Sequence, residues 1–336
     1  LLNRFTNGAR SMTTIKQIAM DMGVSVATVS NALTGKGRVS SDMVERIKKR
    51  AHDLGYRPSL AGRALRSGQT GILGLVMPDL TNPLFPRIAQ HLSLVAADRQ
   101  LGILIADSRG NPDEQTQAIN RLLDRGVDGL LIVPQKGTAP GLQNVPTVII
   151  NTASDPDNSV SADHAGGGRM IAEHIASLGH RHVILLGEDR VSEVQRDRVA
   201  GMRAGFDPSI HLQEIWGESG IDQLVSAIQN GATAVITTSD LLALRVHSHL
   251  TRNGIVVPHD VSLTGFDDLP FAIAMHPTLT TVAQDVEQIA GLAIERLILE
   301  IQGETLPAQN ANVAMRLVIR NSTTKQNSKT KPEILQ

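Results

Sequence analysis

Val26, Ala27, Thr28, Ser30 and Asn31 bring small apolar and short polar side chains together within six residues. They share one face of a short amphipathic run, whose other face is Val29, Ala32 and Leu33. Small apolar and short polar groups are unusual on a solvated helix, but they suit a major groove. Val26 and Ala27 match thymine methyls, and Asn31 matches the N6 and N7 edge of adenine. Thr28 and Ser30 match phosphate oxygens.

The surrounding residues predict the elements that hold this face. Thr14, with Gln17 three positions on, forms a capping box. Ile15, Ile18, Ala19 and Met22 follow at helical spacing. Gly23 ends that helix and permits the positive φ of a sharp turn, with Val24 packed inside it. Ser25 caps the second helix. The pattern is a helix-turn-helix whose second helix enters the groove. Ser40 opens a third helix, with Val44, Ile47, Ala51 and Leu54 inward and Arg46, Lys48, Lys49 and Arg50 outward. The residues expected at the DNA surface of this head are Thr14, Ser25, Val26, Ala27, Thr28, Ser30 and Asn31.

Charge supports a nucleic-acid head. Residues 1–70 hold 12 Lys+Arg against 4 Asp+Glu, and the remainder holds 20 against 29. A basic head on an acidic body is the footprint of a DNA-binding module attached to something else, and its affinity should fall steeply with salt. With no cysteine, disulfides, zinc fingers and thiol chemistry are excluded. No apolar run has the length of a membrane span.

From residue 71 the chain alternates short apolar runs with amphipathic ones. Strands are expected at Ile72–Met77, Gly102–Ala106, 129–133 and Thr147–Ile150. A second series follows at 183–186, 210–215, Ala234–Thr237 and 263–266. Strands alternating with helices predict parallel sheets wound on both faces, and two series predict two subdomains. Ligands of such sheets bind beyond the carboxyl ends of the strands. Those ends carry Asp79, Asn82, Phe85, Asn151, Arg196, Asp197, Arg198, Ser239, Asp240 and Asp267. Carboxylates, amides and a guanidinium facing a cleft suit the hydroxyls of a sugar. The chain has only seven aromatic residues, and Phe85, Trp216, Phe266 and Phe271 sit near this edge. Asp240 reads as a helix N-terminal cap rather than a ligand contact.

The stretches "VSVATVSNAL" and "GYRPSLAGRALRSGQT" resemble the headpiece and hinge of the lactose/galactose repressor family, and the resemblance runs on to about residue 321. It implies a head over 13–58, a hinge helix and linker over 59–70, and two subdomains of periplasmic-binding-protein type. The first subdomain would comprise 71–163 with 283–311, and the second 164–282 with 312–321, with chain crossings near 161–164, 282–285 and 320. Residues 1–12 are expected to be an extension upstream of the headpiece, and 322–336 a disordered tail. Ser59 would join the DNA contacts, and Leu65 would wedge into the minor groove and kink the duplex. Asn31 departs from the Arg common at its position.

In the body, "DLTNPLF" implies effector contacts at Asp79, Asn82 and Phe85. "QRDRVAG" points to Arg198 more than Arg196, "GFDD" to Asp267 and "TTVAQD" to Gln284. Trp216 joins them as an aromatic wall. Asn151 stands where Asp is common, and Ser239 where Asn is usual. Dimer contacts would come from helices over 84–99 and 241–252.

Enzyme signatures are weak. His180 and His182 share a strand face, but no carboxylate cluster completes a metal site. Gly166-Gly167-Gly168 lacks the Lys-Ser/Thr of a phosphate-binding loop and reads as helix packing. The chain therefore reads as a non-enzymatic transcriptional regulator with no cofactor. It is expected to be cytoplasmic and nucleoid-associated, to bind near-palindromic double-stranded operator DNA as a homodimer, and to be controlled by a small sugar or polyol. The alternatives are a nucleobase, nucleoside or phosphorylated sugar in the same cleft, or a solute-binding transport component.

Overall fold

The structure, a computed structural model, describes residues 13–35, 37–56, 68–138, 143–150, 159–304 and 311–326. The expected hinge helix, with Ser59 and Leu65, lies outside the described residues, as do Asn151, residues 1–12 and residues 327–336. The chain divides into two compact units, Leu1–Thr70 and Gly71–Gln336.

Among the described residues, the first unit holds three helices: α1 (Ile15–Met22), α2 (Val26–Thr34) and α3 (Ser41–Asp53). Their apolar faces meet in a core of Ile18, Ala19, Val29, Ala32, Ile47 and Ala51. Full burial of residues such as Ile18, Val29 and Ile47 contributes roughly 1.5–3 kcal/mol each. Thr14 and Ser25 cap α1 and α2 through bonds from the Gln17 and Thr28 amides. Gly23 takes φ 63°, and the amides of Gly23 and Val24 donate to the carbonyls of Met20 and Ala19. Ser40 occupies the cap position of α3, but its hydroxyl makes no capping bond. Arg50 instead ties α3 to α1 through Asp21, at 2.6 Å.

The second unit contains two parallel sheets. The first has order β11-β5-β4-β3-β1-β2. Its strands are β1 (Ile72–Met77), β2 (Gly102–Asp107), β3 (Gly129–Ile132), β4 (Thr147–Ile150), β5 (Ser159–Ala162) and β11 (Ala311–Val313). The second has order β7-β6-β8-β9, from β6 (His182–Gly187), β7 (His211–Trp216), β8 (Ala234–Thr237) and β9 (Ser262–Thr264). An antiparallel pair, β10 (Thr281–Ala283) with β12 (Arg316–Val318), accompanies the crossings.

Helices cover both faces. In the first sheet, α4 (Leu84–Asp98) and α10 (Val286–Ile301) pack on one side and α5 (Pro112–Leu123) on the other. In the second, α6 (His164–Ser177) and α7 (Glu193–Ala204) pack on one side. Helices α8 (Leu224–Gln229) and α9 (Asp240–Arg252) pack on the other. Strand β6 shows the cause: Val183 and Leu185 enter one core while Ile184 and Leu186 enter the other, as alternate side chains must.

Three differences from the sequence reading have physical reasons. The strand expected over 263–266 ends at Thr264, because Gly265 and Asp267 turn their amides to Thr280 and Val282. The third crossing falls between Val313 and Arg316 rather than near 320, because β11 pairs with β5 while β12 pairs with β10. The tail expected from 322 is packed as far as 326. Ser322 is buried and donates to the Leu263 carbonyl at 2.6 Å, and the Gln326 amide reaches the Leu178 carbonyl.

Candidate nucleic-acid interface and effector cleft

Helix α2 begins at a double hydroxyl. Ser25 Oγ accepts from the Thr28 amide at 3.0 Å and lies 2.8 Å from Thr28 Oγ1. This fixes the first turn, from which Val26, 46% exposed, and Ala27 project into solvent. An exposed valine at this position gains nothing for the fold and is free for a groove. Thr28, Ser30 and Asn31 are half-buried. Asn31 leans on the turn after α2, where a methyl on Gly37 would sit 2.8 Å from its Nδ2. The residue expected to point outward is thus positioned by a glycine that also needs φ 83°. Thr14, at the start of α1, is exposed, as are Arg46, Lys48 and Lys49 on α3.

In the second unit, strand order reverses between β1 and β3 in one sheet and between β6 and β8 in the other. These are the points where loops diverge and leave a crevice. A cavity of about 590 Å³ opens there. Asp79, Asn82 and Phe85 follow β1, and Gln135 and Lys136 follow β3. Glu188 and Asp189 follow β6, and Thr238 and Ser239 follow β8.

Arg198, on α7, forms the floor and is 3% exposed. Its Nη2 donates to Asp267 Oδ1 at 2.8 Å, its Nη1 to the Thr238 carbonyl at 2.6 Å, and its Nε to His164 Nδ1 at 3.3 Å. Its plane lies 4.1 Å from the centroid of the Phe266 ring, a cation–π contact. Three of five guanidinium protons are thereby committed, leaving two for a ligand. The glycines of α6 and α7 allow this placement. A methyl on Gly168 would lie 2.2 Å from the Arg198 carbonyl, and one on Gly201 would lie 1.9 Å from the Ala165 carbonyl. Within the triple glycine, Gly168 therefore serves backbone-to-backbone helix packing, while a methyl on Gly166 would meet the Asp163 carboxylate and one on Gly167 the Met315 and Phe266 side chains.

Burial and the Arg198 charge hold the His164 imidazole well below its ordinary pKa, so it stays neutral and can accept from Arg198. Burial pushes the Asp267 carboxyl up, and Arg198 opposes that shift. Asp267 has φ 108°, a strained conformation for a residue with a side chain. Its carboxylate is held by Arg198 and by Gln284, whose Nε2 donates at 2.6 Å.

Asp240 corrects the sequence reading. The cap of α9 is Ser239, whose Oγ accepts from the Leu242 amide. Asp240 is fully buried and accepts from the Leu269 amide at 2.7 Å and from Thr281 Oγ1 at 2.6 Å. Burial, reinforced by the Asp267 charge, raises its pKa to about 7.

Asp79, Asn82, Phe85, Arg198, Ser239 and Asp267 line one cavity. Gln284 stands behind Asp267 and is not part of the cavity wall. Trp216 is elsewhere: its ring covers Gly187, its Nε1 donates to Glu214 at 2.6 Å, and Arg190 stacks over it. Sequence reasoning missed Gln195, whose Oε1 accepts from Thr238 Oγ1 and the Glu188 amide. It also missed Gln115, which fixes the turn at 135–138 by accepting from the Gln135 amide at 2.6 Å. Both glutamines lie at helical positions that read as polar surface.

His180 bonds Thr233 and the Thr324 carbonyl, and among the described residues no group of three or more His, Cys, Asp or Glu side chains is placed to hold a metal. No described helix is long and apolar enough to cross a membrane.

Residues 14–59 match the family model for bacterial regulatory proteins, lacI family, and residues 172–323 match the periplasmic binding protein-like domain. The HTH-type transcriptional regulator DegA of Bacillus subtilis is 27% identical over 94% of this chain and 99% of its own length. The ribose operon repressor of Escherichia coli is 26% identical over 93% and 100%. Among solved structures, the Lac repressor dimer bound to operator and the anti-inducer ONPF has a TM-score of 0.79 and 25% identity, covering 93% of this chain and 99% of that one.

Proposed function

The chain is a DNA-binding transcriptional regulator of the lacI family, and from that premise we propose that it represses transcription at a near-palindromic operator under the control of a small sugar or polyol held in the cleft. The observation that carries the effector reading is the Arg198–Asp267 pair at the floor of a cavity between two switch points. Arg198 keeps donors for hydroxyl oxygens, Asp267 supplies an acceptor, and Phe85 gives the wall an apolar surface. A Lac repressor bound to ONPG and a LacI-family regulator bound to ribose are relatives whose ligands are of this class.

The reading of the head assigns base contacts to Val26, Ala27 and Asn31, and phosphate contacts to Thr14, Ser25, Thr28 and Ser30. Ser59 and Leu65 join them on the family resemblance alone. A second copy of the chain completes the operator reader. Leu94 on α4, Ile105 on β2 and Leu244 on α9 are apolar and exposed, which supports a covered face on both subdomains. Control works by population: a ligand that binds one angle of the subdomains better than another shifts the chain toward it. The subdomains are joined by three crossings, and Arg87 of α4 donates to the Asp268 carbonyl beside the cleft.

No catalysis is assigned, and the place of action is the cytoplasm, on nucleoid DNA. The test is fluorescence anisotropy with a duplex selected by this chain from a random pool. A selected palindromic consensus whose binding responds to a sugar supports the reading, and unselective DNA binding contradicts it.

A further inference from the structure

We infer that the cleft takes an uncharged, hydroxyl-rich effector and rejects its phosphorylated or carboxylated counterparts; this rests on the cleft being the effector site. The cavity is lined by five carboxylates and two cations, and both cations are already engaged. Arg198 is bound to Asp267. Lys136, from the turn after β3, lies 3.6 Å from Asp189, from the loop after β6. The charge that an anionic ligand would seek is therefore already balanced by a carboxylate at either one.

Four helices start at this edge, and their N-termini would ordinarily favour an anion. Here each start is occupied by the chain's own acceptors. Ser192 accepts from the Gln195 amide at α7, Ser239 from Leu242 at α9, Asn111 from Asp113 at α5 and Asn82 from Leu84 at α4. First-turn carboxylates add negative charge at Glu193 of α7 and at Asp113 and Glu114 of α5. At each of these helix ends one of the four first-turn amides is committed to the protein.

The hydrogen-bond balance points the same way. Gln135 lines the cavity, and its buried Oε1 has no partner among the described residues. A buried acceptor without a donor is costly, and an ionised phosphate or carboxylate placed against it would add acceptors without supplying a donor. Hydroxyls bring donors.

The test uses the full chain at fixed ionic strength, with matched pairs: ribose and ribose 5-phosphate, glucose and glucose 6-phosphate, galactose and galacturonate. Thermal melting and titration calorimetry report binding. At least one neutral sugar should bind, and its anionic counterpart should bind about a hundredfold more weakly. Asp79→Asn combined with Glu193→Gln should narrow that gap. Equal or tighter binding of an anionic member, lost in Arg198→Ala, overturns the selectivity while leaving the effector site standing. If no member of any pair binds, the sugar effector itself is contradicted, and the selectivity with it.

Discussion

Arg198 Nη2 donates to Asp267 Oδ1 at 2.8 Å, and both side chains are almost wholly buried. Each group makes the burial of the other tolerable. Truncating one leaves an uncompensated charge in the interior, which typically costs about 3–5 kcal/mol. Arg198→Ala should therefore destabilise the body by that order. Arg198→Ala with Asp267→Ala should cost clearly less than the two single losses together. Chemical denaturation of the four chains measures the coupling, and additive losses would show that the pair is not a unit.

Asp240 makes a pH prediction. Its carboxyl has an ordinary pKa of 3.8 and one of about 7 in the folded chain. The folded state then holds a proton that the unfolded state has lost, so this group's contribution falls as pH rises from about 4 to about 7 and is flat above. In Asp240→Asn the amide can still accept from Leu269 and can donate to Thr281, so the fold survives. Denaturation at stepped pH should give a difference between wild type and variant that changes by on the order of 3–4 kcal/mol across that window. His164 works in the opposite sense, because its lowered pKa removes stability as pH falls below its ordinary 6.5, and it cancels in the difference. A difference independent of pH would show that Asp240 is ionised throughout.

Glycine substitutions separate packing from propensity. Gly201→Ala places a methyl 1.9 Å from the Ala165 carbonyl, so it should push α7 from α6 and destabilise by about 1–3 kcal/mol. It should also weaken effector binding by displacing Arg198. Gly291→Ala, in α10, meets nothing within 4 Å and should stabilise by about 0.5–1 kcal/mol. Thermal melts check both signs.

Asn31 rests on Gly37, and the two positions should act together. Asn31→Ala should relax preference at one half-site base, with a change of ~1–3 kcal/mol. Gly37→Ala should disturb the same base by moving the Asn31 side chain. A base-substitution panel on a selected duplex reads both. If neither variant alters any position, Asn31 is not a base contact.

The head was legible in the sequence because its determinants are local. Thr14, Gly23 and Ser25 act within four residues of themselves, and Ile18, Val29 and Ile47 follow one helical spacing. Strands β1, β4 and β8 were legible as apolar runs. Strands β5, β10, β11 and β12 were not, because their short sequences, each containing a polar residue, form no apolar run and become strands only through their partners. The site followed the same division. Arg198 and Asp267 stand in recognisable motifs. Their partners His164, Thr238 and Gln284 lie between 17 and 40 residues away, and only the folded chain brings them together. Trp216 failed as a pocket wall because β7 is an edge strand whose ring lies over Gly187 rather than toward the cavity.

Control of DNA binding by occupancy of the cleft is decided by one comparison of affinities. Affinity for a selected palindromic duplex is measured by anisotropy at fixed salt, with and without a saturating cleft ligand, for wild type and Arg198→Ala. A shift of about tenfold or more in wild type, 1.4 kcal/mol of coupling, is predicted to vanish in Arg198→Ala while the ligand-free affinity is kept. An unchanged affinity in wild type with calorimetrically proven ligand occupancy would contradict the account.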